Sequence, residues 1–296
     1  MQKSHFLQFD YRDIKSLARC ISLVENEVEG YEAFMQSLPQ DNKSKVIGIT
    51  GPPGAGKSTL TDALIGSFVA DGKKVAVLCV DPSSPFNLGA LLGDRIRMSE
   101  WFDKPNVFIR SLASRGSMGG LHPKIIEITD ILKAAAFDYI IIETVGVGQS
   151  EIEIAGLADT TIVVLVPESG DEIQTMKAGL MEIADIFVVN KADRPGADIF
   201  IRNLRQMLAP AFRNNSSEIP IIPTIASEKS GIEELKSNII LRNSNKNEEK
   251  KSWLLAEKAY QLIKSKRMYD IDKNELVIKI KEVGTPINLY KFIKEY

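Results

Sequence analysis

The chain has 296 residues, 44% of them apolar and 26% charged, with a formal net charge of −2. This is the balance of an ordinary globular protein able to bury a core in one large or two small domains, and it gives no electrostatic grip on nucleic acid or an anionic membrane, so neither is expected as a partner. Cys20 and Cys79 are far apart and outside any CxxC spacing, which argues against a disulfide framework and for a reducing, cytoplasmic setting. Residues 1–10 lack a signal-peptide run, and the longest apolar stretches have the length of buried strands rather than of a membrane span.

Residues 1–44 are polar, with Ile14, Leu17, Ala18, Ile21 and Val24 at helical spacing before the turn-prone Pro39–Ser44. They predict a helical N-terminal extension. From 45 to 241, short β-branched runs alternate with longer amphipathic segments: Val46–Ile49, Val75–Val80, Val107–Ile109, Tyr139–Ile142, Ile162–Val166, Ile186–Val189 and Pro220–Pro223. That alternation predicts an α/β domain, a mostly parallel sheet with helices on both faces, because parallel strands require crossovers that cover them.

Directly after the first run stands Gly51-Pro52-Pro53-Gly54-Ala55-Gly56-Lys57-Ser58, followed by Thr59 and a helical segment to Ala70. The string fits GxxxxGK[ST] in its required strand–loop–helix context, the P-loop of nucleoside triphosphate-binding proteins. Its glycines let backbone N–H groups converge on phosphate oxygens beside the positive end of a helix dipole. Lys57 is expected to reach the β- and γ-phosphates, and the Ser58 hydroxyl to ligate Mg²⁺. Two carboxylates stand at strand ends where a magnesium-side acid is needed, Asp81 after Val75–Val80 and Glu143 after Tyr139–Ile142. Asp94, in Leu92-Gly93-Asp94-Arg95, is on a loop long enough to close over the metal. Glu143 opens Glu-Thr-Val-Gly, and Gly146 falls where switch NTPases place the N–H that contacts the γ-phosphate. Val147 then occupies the position of the water-orienting glutamine of Ras-like switches, which predicts slow intrinsic hydrolysis.

Asn190-Lys191-Ala192-Asp193 follows Ile186–Val189 as an NKxD element. The Asp193 carboxylate can accept from guanine N1–H and the 2-amino group together, a donor pair that adenine lacks. Lys191 would lie along the base, and Asn190 would tie this loop to the P-loop. GTP, hydrolysed to GDP, is therefore the expected nucleotide. Residues 242–250 turn to Asn, Ser, Lys and Glu and read as a linker. Residues 251–296 are charged and helical in spacing, with Trp253, Leu254, Ala256, Tyr260 and Ile263 as apolar positions. They are too few for a core, so this arm packs on the main domain or meets a second copy.

These strings resemble the MeaB/MMAA (ArgK-like) family of GTPases, chaperones of adenosylcobalamin-dependent acyl-CoA mutases. The likeness covers nearly the whole chain and rests on 48–59, Val80-Asp-Pro-Ser-Ser-Pro-Phe86, 92–95, Glu143-Thr-Val-Gly-Val-Gly-Gln-Ser-Glu151, 167–174 with Lys177-Ala-Gly, and Val283-Gly-Thr-Pro286. It implies a SIMIBI-class G domain that is dimeric through the C-terminal arm and partnered with such a mutase, methylmalonyl-CoA mutase being the family default. It makes Ser58, Asp81, Asp94 and Glu143 magnesium-side residues, 143–151 a switch, and Gly170–Lys177 a further switch read by the mutase. The family usually has Ser-Ala where this chain has Ile225-Ala226, so the Ala226 N–H is the expected partner of guanine O6. Two other readings stand beside this one. A metal-insertion GTPase would need soft or imidazole ligands, here His5, His122 and two cysteines. A small-molecule kinase would need an acceptor pocket and a base.

Overall fold

The computed structural model describes residue 10 and residues 13–39, 43–81, 98–113, 121–144, 150–169, 183–212, 219–244, 248–284 and 286–296. Within them the chain divides into two compact units, 1–247 and 248–296.

The predicted β-branched runs become the strands β1 (Lys45–Thr50), β2 (Val75–Asp81), β3 (Val107–Ala113), β4 (Tyr139–Glu143), β5 (Thr160–Leu165), β6 (Ile186–Asn190) and β7 (Ile221–Thr224). They form one sheet in the order β3-β2-β4-β1-β5-β6-β7, every pair parallel. Side chains alternate between its faces, as the period of two requires. Ile162 and Val164 of β5 enter one apolar cluster, while Val163 and Leu165 enter another on the opposite face.

The first face is covered by α3 (Lys57–Ala70) and α7 (Ile232–Ser244), through Leu60, Leu64, Phe68, Leu235 and Ile239. The opposite face is covered in two places. Helix α6 (Ala197–Phe212) packs Phe200, Leu204 and Leu208 against β5 and β6. Helices α1 (Ile14–Glu25), α4 (Ile125–Ala134) and α5 (Ser150–Leu157) cover β1, β2 and β4. Helix α5 meets β1 closely because Gly48 is there: a Cβ at that position would stand 2.5 Å from Ile154 Cγ1.

The N-terminal helices belong to the same compact unit as the sheet. Asp13 caps α1 by accepting from Ser16 N at 2.8 Å; of the apolar positions expected on its face Leu17, Ile21 and Val24 are buried, joined by Cys20, while Ala18 is half-buried and Ile14, in the first turn, is exposed. Helix α2 (Tyr31–Ser37) adds Phe34. A polar clasp completes the attachment. Arg110 of β3 donates to Ala18 O at 3.1 Å and Ser22 Oγ at 3.0 Å and pairs with Glu25. Lys124 reaches Glu27 at 2.8 Å, Glu127 at 3.2 Å and the Tyr31 hydroxyl at 3.2 Å. Burial opposes the charged form of Lys124, yet these partners outweigh it and hold the ammonium above its ordinary range.

Helix α7 runs to Ser244, and α8 (Glu248–Arg267) opens the second unit, so helix occupies much of the stretch that reads as a linker. Helices α9 (Lys273–Val283) and α10 (Leu289–Phe292) follow, with Asp272 and Asn288 as their caps. No helix among the described residues is long and apolar enough to cross a membrane.

Candidate functional site

The chain reverses direction across the sheet at β1, which lies between β4 and β5. The crossovers from β1 and β4 run to opposite sides, and the crevice at their carboxyl ends is where open α/β sheets bind ligands. The glycine-rich loop leaves β1 here. Gly51 has φ +143°, and a Cβ on it would lie 2.1 Å from the Val164 carbonyl oxygen of β5, so only glycine fits. Lys57, the first residue of α3, is buried and donates through Nζ to Gly51 O at 2.9 Å and Pro52 O at 3.1 Å. The 14-residue helix behind it has no acid in its first turn, so no carboxylate of its own offsets the positive end that faces the loop.

Glu143 is the last residue of β4 and is paired in register with Ile49 of β1 and Cys79 of β2. Its carboxylate is buried and held by hydroxyls of α3. Ser58 Oγ donates to Oε1 at 2.6 Å. Thr61 Oγ1 stands 2.9 Å from Oε2 and 3.0 Å from Lys57 O, its single proton serving one acceptor at a time. Beside them Thr144 Oγ1 donates to Thr50 Oγ1 at 2.9 Å. Register puts the backbone of Asp81 at the same edge, two residues past Cys79. The donors brought together, a serine hydroxyl and a carboxylate, are all oxygen, and such a set fits a hard cation such as Mg²⁺. Among the described residues no three of His, Cys, Asp and Glu gather as a metal cage. The Asp81 side chain, Asp94, Gly146, Val147 and Gly170–Lys177 lie outside the described residues.

The NKxD element closes the other side of the P-loop. Asn190 is the last residue of β6 and buried. Its Nδ2 donates to Ala55 O at 2.9 Å, and its Oδ1 accepts from Thr224 Oγ1 and Ala226 N, each at 3.1 Å. Gly56, with φ +87°, permits this approach, since a Cβ there would stand 2.3 Å from Asn190 Nδ2. Lys191 adopts a left-handed φ of 57° and donates from Nζ to Gly54 O at 2.7 Å. Asp193 is exposed at the turn that follows. The Ala226 N–H, expected at guanine O6, here serves Asn190, so it reaches a base only by sharing its proton. The loop 225–230 is closed on itself by paired backbone bonds between Ile225 and Ser230.

Two residues of this arrangement escape motif reading. Thr61 lies three residues after Ser58, on the same helix face, a spacing that would have marked it. Thr224 has no local signal, because its partner is 34 residues away. The candidate soft-metal ligands are dispersed. Cys20 and Cys79 are buried in apolar clusters on opposite faces of the sheet, and burial pushes the Cys20 thiol up to about 12. The buried His122 commits Nδ1 to the Lys124 N–H at 3.0 Å, and His5 is outside the described residues.

A parallel sheet with a P-loop after β1, a buried carboxylate ending β4 and an NKxD turn ending β6 defines a P-loop GTPase. The particular family follows from comparison: residues 17–281 match the family described as Methylmalonyl Co-A mutase-associated GTPase MeaB, and the chain belongs to it. A protein of Pyrococcus horikoshii that carries a GTPase name is 45% identical over 260 residues, covering 85% of this chain and 82% of that one. A fused isobutyryl-CoA mutase of Geobacillus kaustophilus is 38% identical over 230 residues, 73% of this chain but 21% of that protein. Among solved structures, an LAO/AO transport system kinase superposes with a TM-score of 0.65 at 26% identity, over 93% of this chain and 90% of that one.

Proposed function

We propose that this GTPase is a chaperone that gates cofactor loading and protection of an adenosylcobalamin-dependent acyl-CoA mutase. The observation that carries the reading is that a segment resembling this chain occurs inside a polypeptide named as an isobutyryl-CoA mutase. A GTPase continuous with a mutase in one protein points to a mutase as the partner of the separate GTPase, methylmalonyl-CoA mutase by the family's description.

In this reading the P-loop residues 51–59 hold the phosphates, and Lys57 exchanges its bonds to Gly51 O and Pro52 O for β- and γ-phosphate oxygens. Ser58 and Glu143, with Asp81 and Asp94, hold Mg²⁺, which when bound neutralises phosphate charge. The Gly146 N–H meets the γ-phosphate. Asp193 selects guanine, Lys191 flanks the base, Asn190 fixes the loop that bears them, and Ala226 shares its N–H with O6. Val147 orients no water, so hydrolysis is slow until the mutase acts on 170–177. The exposed Trp253, Tyr260 and Ile263 of the second unit support homodimerisation through the C-terminal arm, read out by sedimentation, in a cytoplasmic setting.

The test is to mix the purified protein with adenosylcobalamin-dependent mutases and follow phosphate release from GTP. Stimulation of about tenfold or more is expected, well within what partner proteins supply to slow GTPases. Absence of stimulation by both methylmalonyl-CoA and isobutyryl-CoA mutases overturns the chaperone reading and leaves the GTPase standing.

A further inference from the structure

Two cations flank Asp193 in the turn that ends β6, Lys191 two residues before it and Arg194 directly after. A cation paired with the Asp193 carboxylate would occupy the oxygens that a guanine base needs. Both are held elsewhere. Lys191 Nζ is committed to Gly54 O at 2.7 Å. Arg194 pairs through Nη1 with Oε1 of Glu168. Among the described residues no ion pair engages the Asp193 carboxylate, which stands exposed.

The sheet places Glu168 where it can do this. Strands β5 and β6 are parallel neighbours with Leu165 opposite Val189. Glu168, three residues past Leu165, and Arg194, five past Val189, therefore both leave the carboxyl edge. The P-loop lies at the same edge, where Gly51 packs on the Val164 carbonyl of β5. The turn that bears Arg194 is fixed by its backbone: Arg194 N–H donates to Lys191 O at 3.1 Å and Ala192 N–H to Thr224 O at 3.0 Å. What remains adjustable is the direction of the long Arg194 stem. The hydrogen bond from Arg194, with the charge of Lys191 among the lesser causes, holds the Glu168 carboxyl below its ordinary range, so it is ionised at neutral pH. The two side chains are 44% and 50% exposed, and a pair so exposed adds little to stability. Its consequence is where it keeps the guanidinium.

We infer that Glu168 is a positioning residue for guanine recognition: it holds the Arg194 guanidinium away from the Asp193 carboxylate, which is thereby left open to the N1–H and 2-amino group of the base. This rests on the reading of Asp193 as the guanine reader. Glu168 acts on the base only through Arg194 and Asp193, so the three residues behave unequally. Without Glu168 the guanidinium competes with guanine for the carboxylate. Without Arg194 there is no competitor, and Glu168 has nothing to restrain. A pair that merely braced the turn would instead lose the same amount from either side.

The experiment measures GDP dissociation constants for the parent, Glu168→Ala, Arg194→Gln and the two changes combined. All three are surface substitutions, and melting curves confirm that the proteins are folded. Glu168→Ala is expected to weaken GDP about fivefold, the upper end of what an exposed ion pair supplies. Arg194→Gln, and the combined variant, are expected to stay within about twofold of the parent. A second arm uses Asp193→Asn and xanthosine diphosphate. With no carboxylate to compete for, adding Glu168→Ala to Asp193→Asn changes xanthosine diphosphate affinity by less than about twofold. If Glu168→Ala binds GDP like the parent, or if Arg194→Gln or the combined variant is as weak as Glu168→Ala, the positioning role is overturned and the reading of Asp193 survives. A further loss of xanthosine diphosphate affinity on adding Glu168→Ala to Asp193→Asn also overturns it. If Asp193→Asn keeps the parent's preference for GDP over xanthosine diphosphate, the reading of Asp193 falls and this role falls with it.

Discussion

At the phosphate end of the site a buried carboxylate, Glu143, is held by the hydroxyls of Ser58 and Thr61. At the base end a buried amide, Asn190, is held by the Ala55 carbonyl, the Ala226 N–H and the Thr224 hydroxyl. Hydroxyls rotate and exchange donation for ligation without moving the backbone. Backbone partners are set by the strands and loops that carry them. The first end is therefore built to change partners, and the second is a rivet joining the P-loop, β6 and β7. The same contrast predicts what removal should do: loss of chemistry at the first end, loss of stability at the second.

The largest expected effect belongs to Asp193, exposed beside the rivet and proposed to read guanine. Asp193→Asn should move the preference from GTP toward xanthosine triphosphate by about 10³-fold, since a site built to pair a donor rejects a base that lacks it; competition binding of the two nucleotides measures it. Next, Glu143→Gln should lower magnesium-dependent hydrolysis about 10²-fold, while its melting curve stays close to that of the parent because the amide keeps an acceptor for Ser58. An equal loss of stability would erase the contrast between the two ends. Asn190→Ala should do the reverse. Leaving Ala55 O and Ala226 N without this partner in a buried setting costs about 3 kcal/mol, visible in denaturant unfolding without nucleotide. Thr61→Val is smaller, about 1 kcal/mol for one hydroxyl contact, with a several-fold drop in kcat as Glu143 loosens.

The effect that vanishes at neutral pH lies away from both ends. Burial raises the Cys20 thiol from 9.0 to about 12. The unfolded chain ionises first, so this group's contribution is intact below pH 9 and lost as pH rises from 9 toward 12. Unfolding free energy followed across that window should fall less steeply in Cys20→Ala than in the parent.

Much of the site was legible because it is local. The P-loop and the NKxD turn are contiguous strings whose chemistry depends on neighbours in sequence, and β-branched runs announce strands whichever sheet they join. Glu143 was legible as a strand-end acid. The N-terminal helix was readable from the spacing of Leu17, Ile21 and Val24, but its clasp was not. Arg110 and Ser22, 88 residues apart, share no pattern a linear reading can find. The stretch 242–250 reads as a linker from its Asn, Ser, Lys and Glu, and the boundary between the two compact units falls inside it; helix nevertheless enters it from both sides, since Lys and Glu are also good helix formers.

The sequence by itself determined the elements and the loop chemistry: periodicity selects strand or helix, and glycines at 51 and 56 are demanded by positive φ and close approach. Only the tertiary structure decided that Ser58 and Thr61 converge on Glu143, that Asn190 ties the P-loop to the end of β7, and that Asp62 captures Trp101. Those contacts depend on the order of strands in the sheet. That order is set by burying both faces at once, a property of the whole chain rather than of any stretch of it.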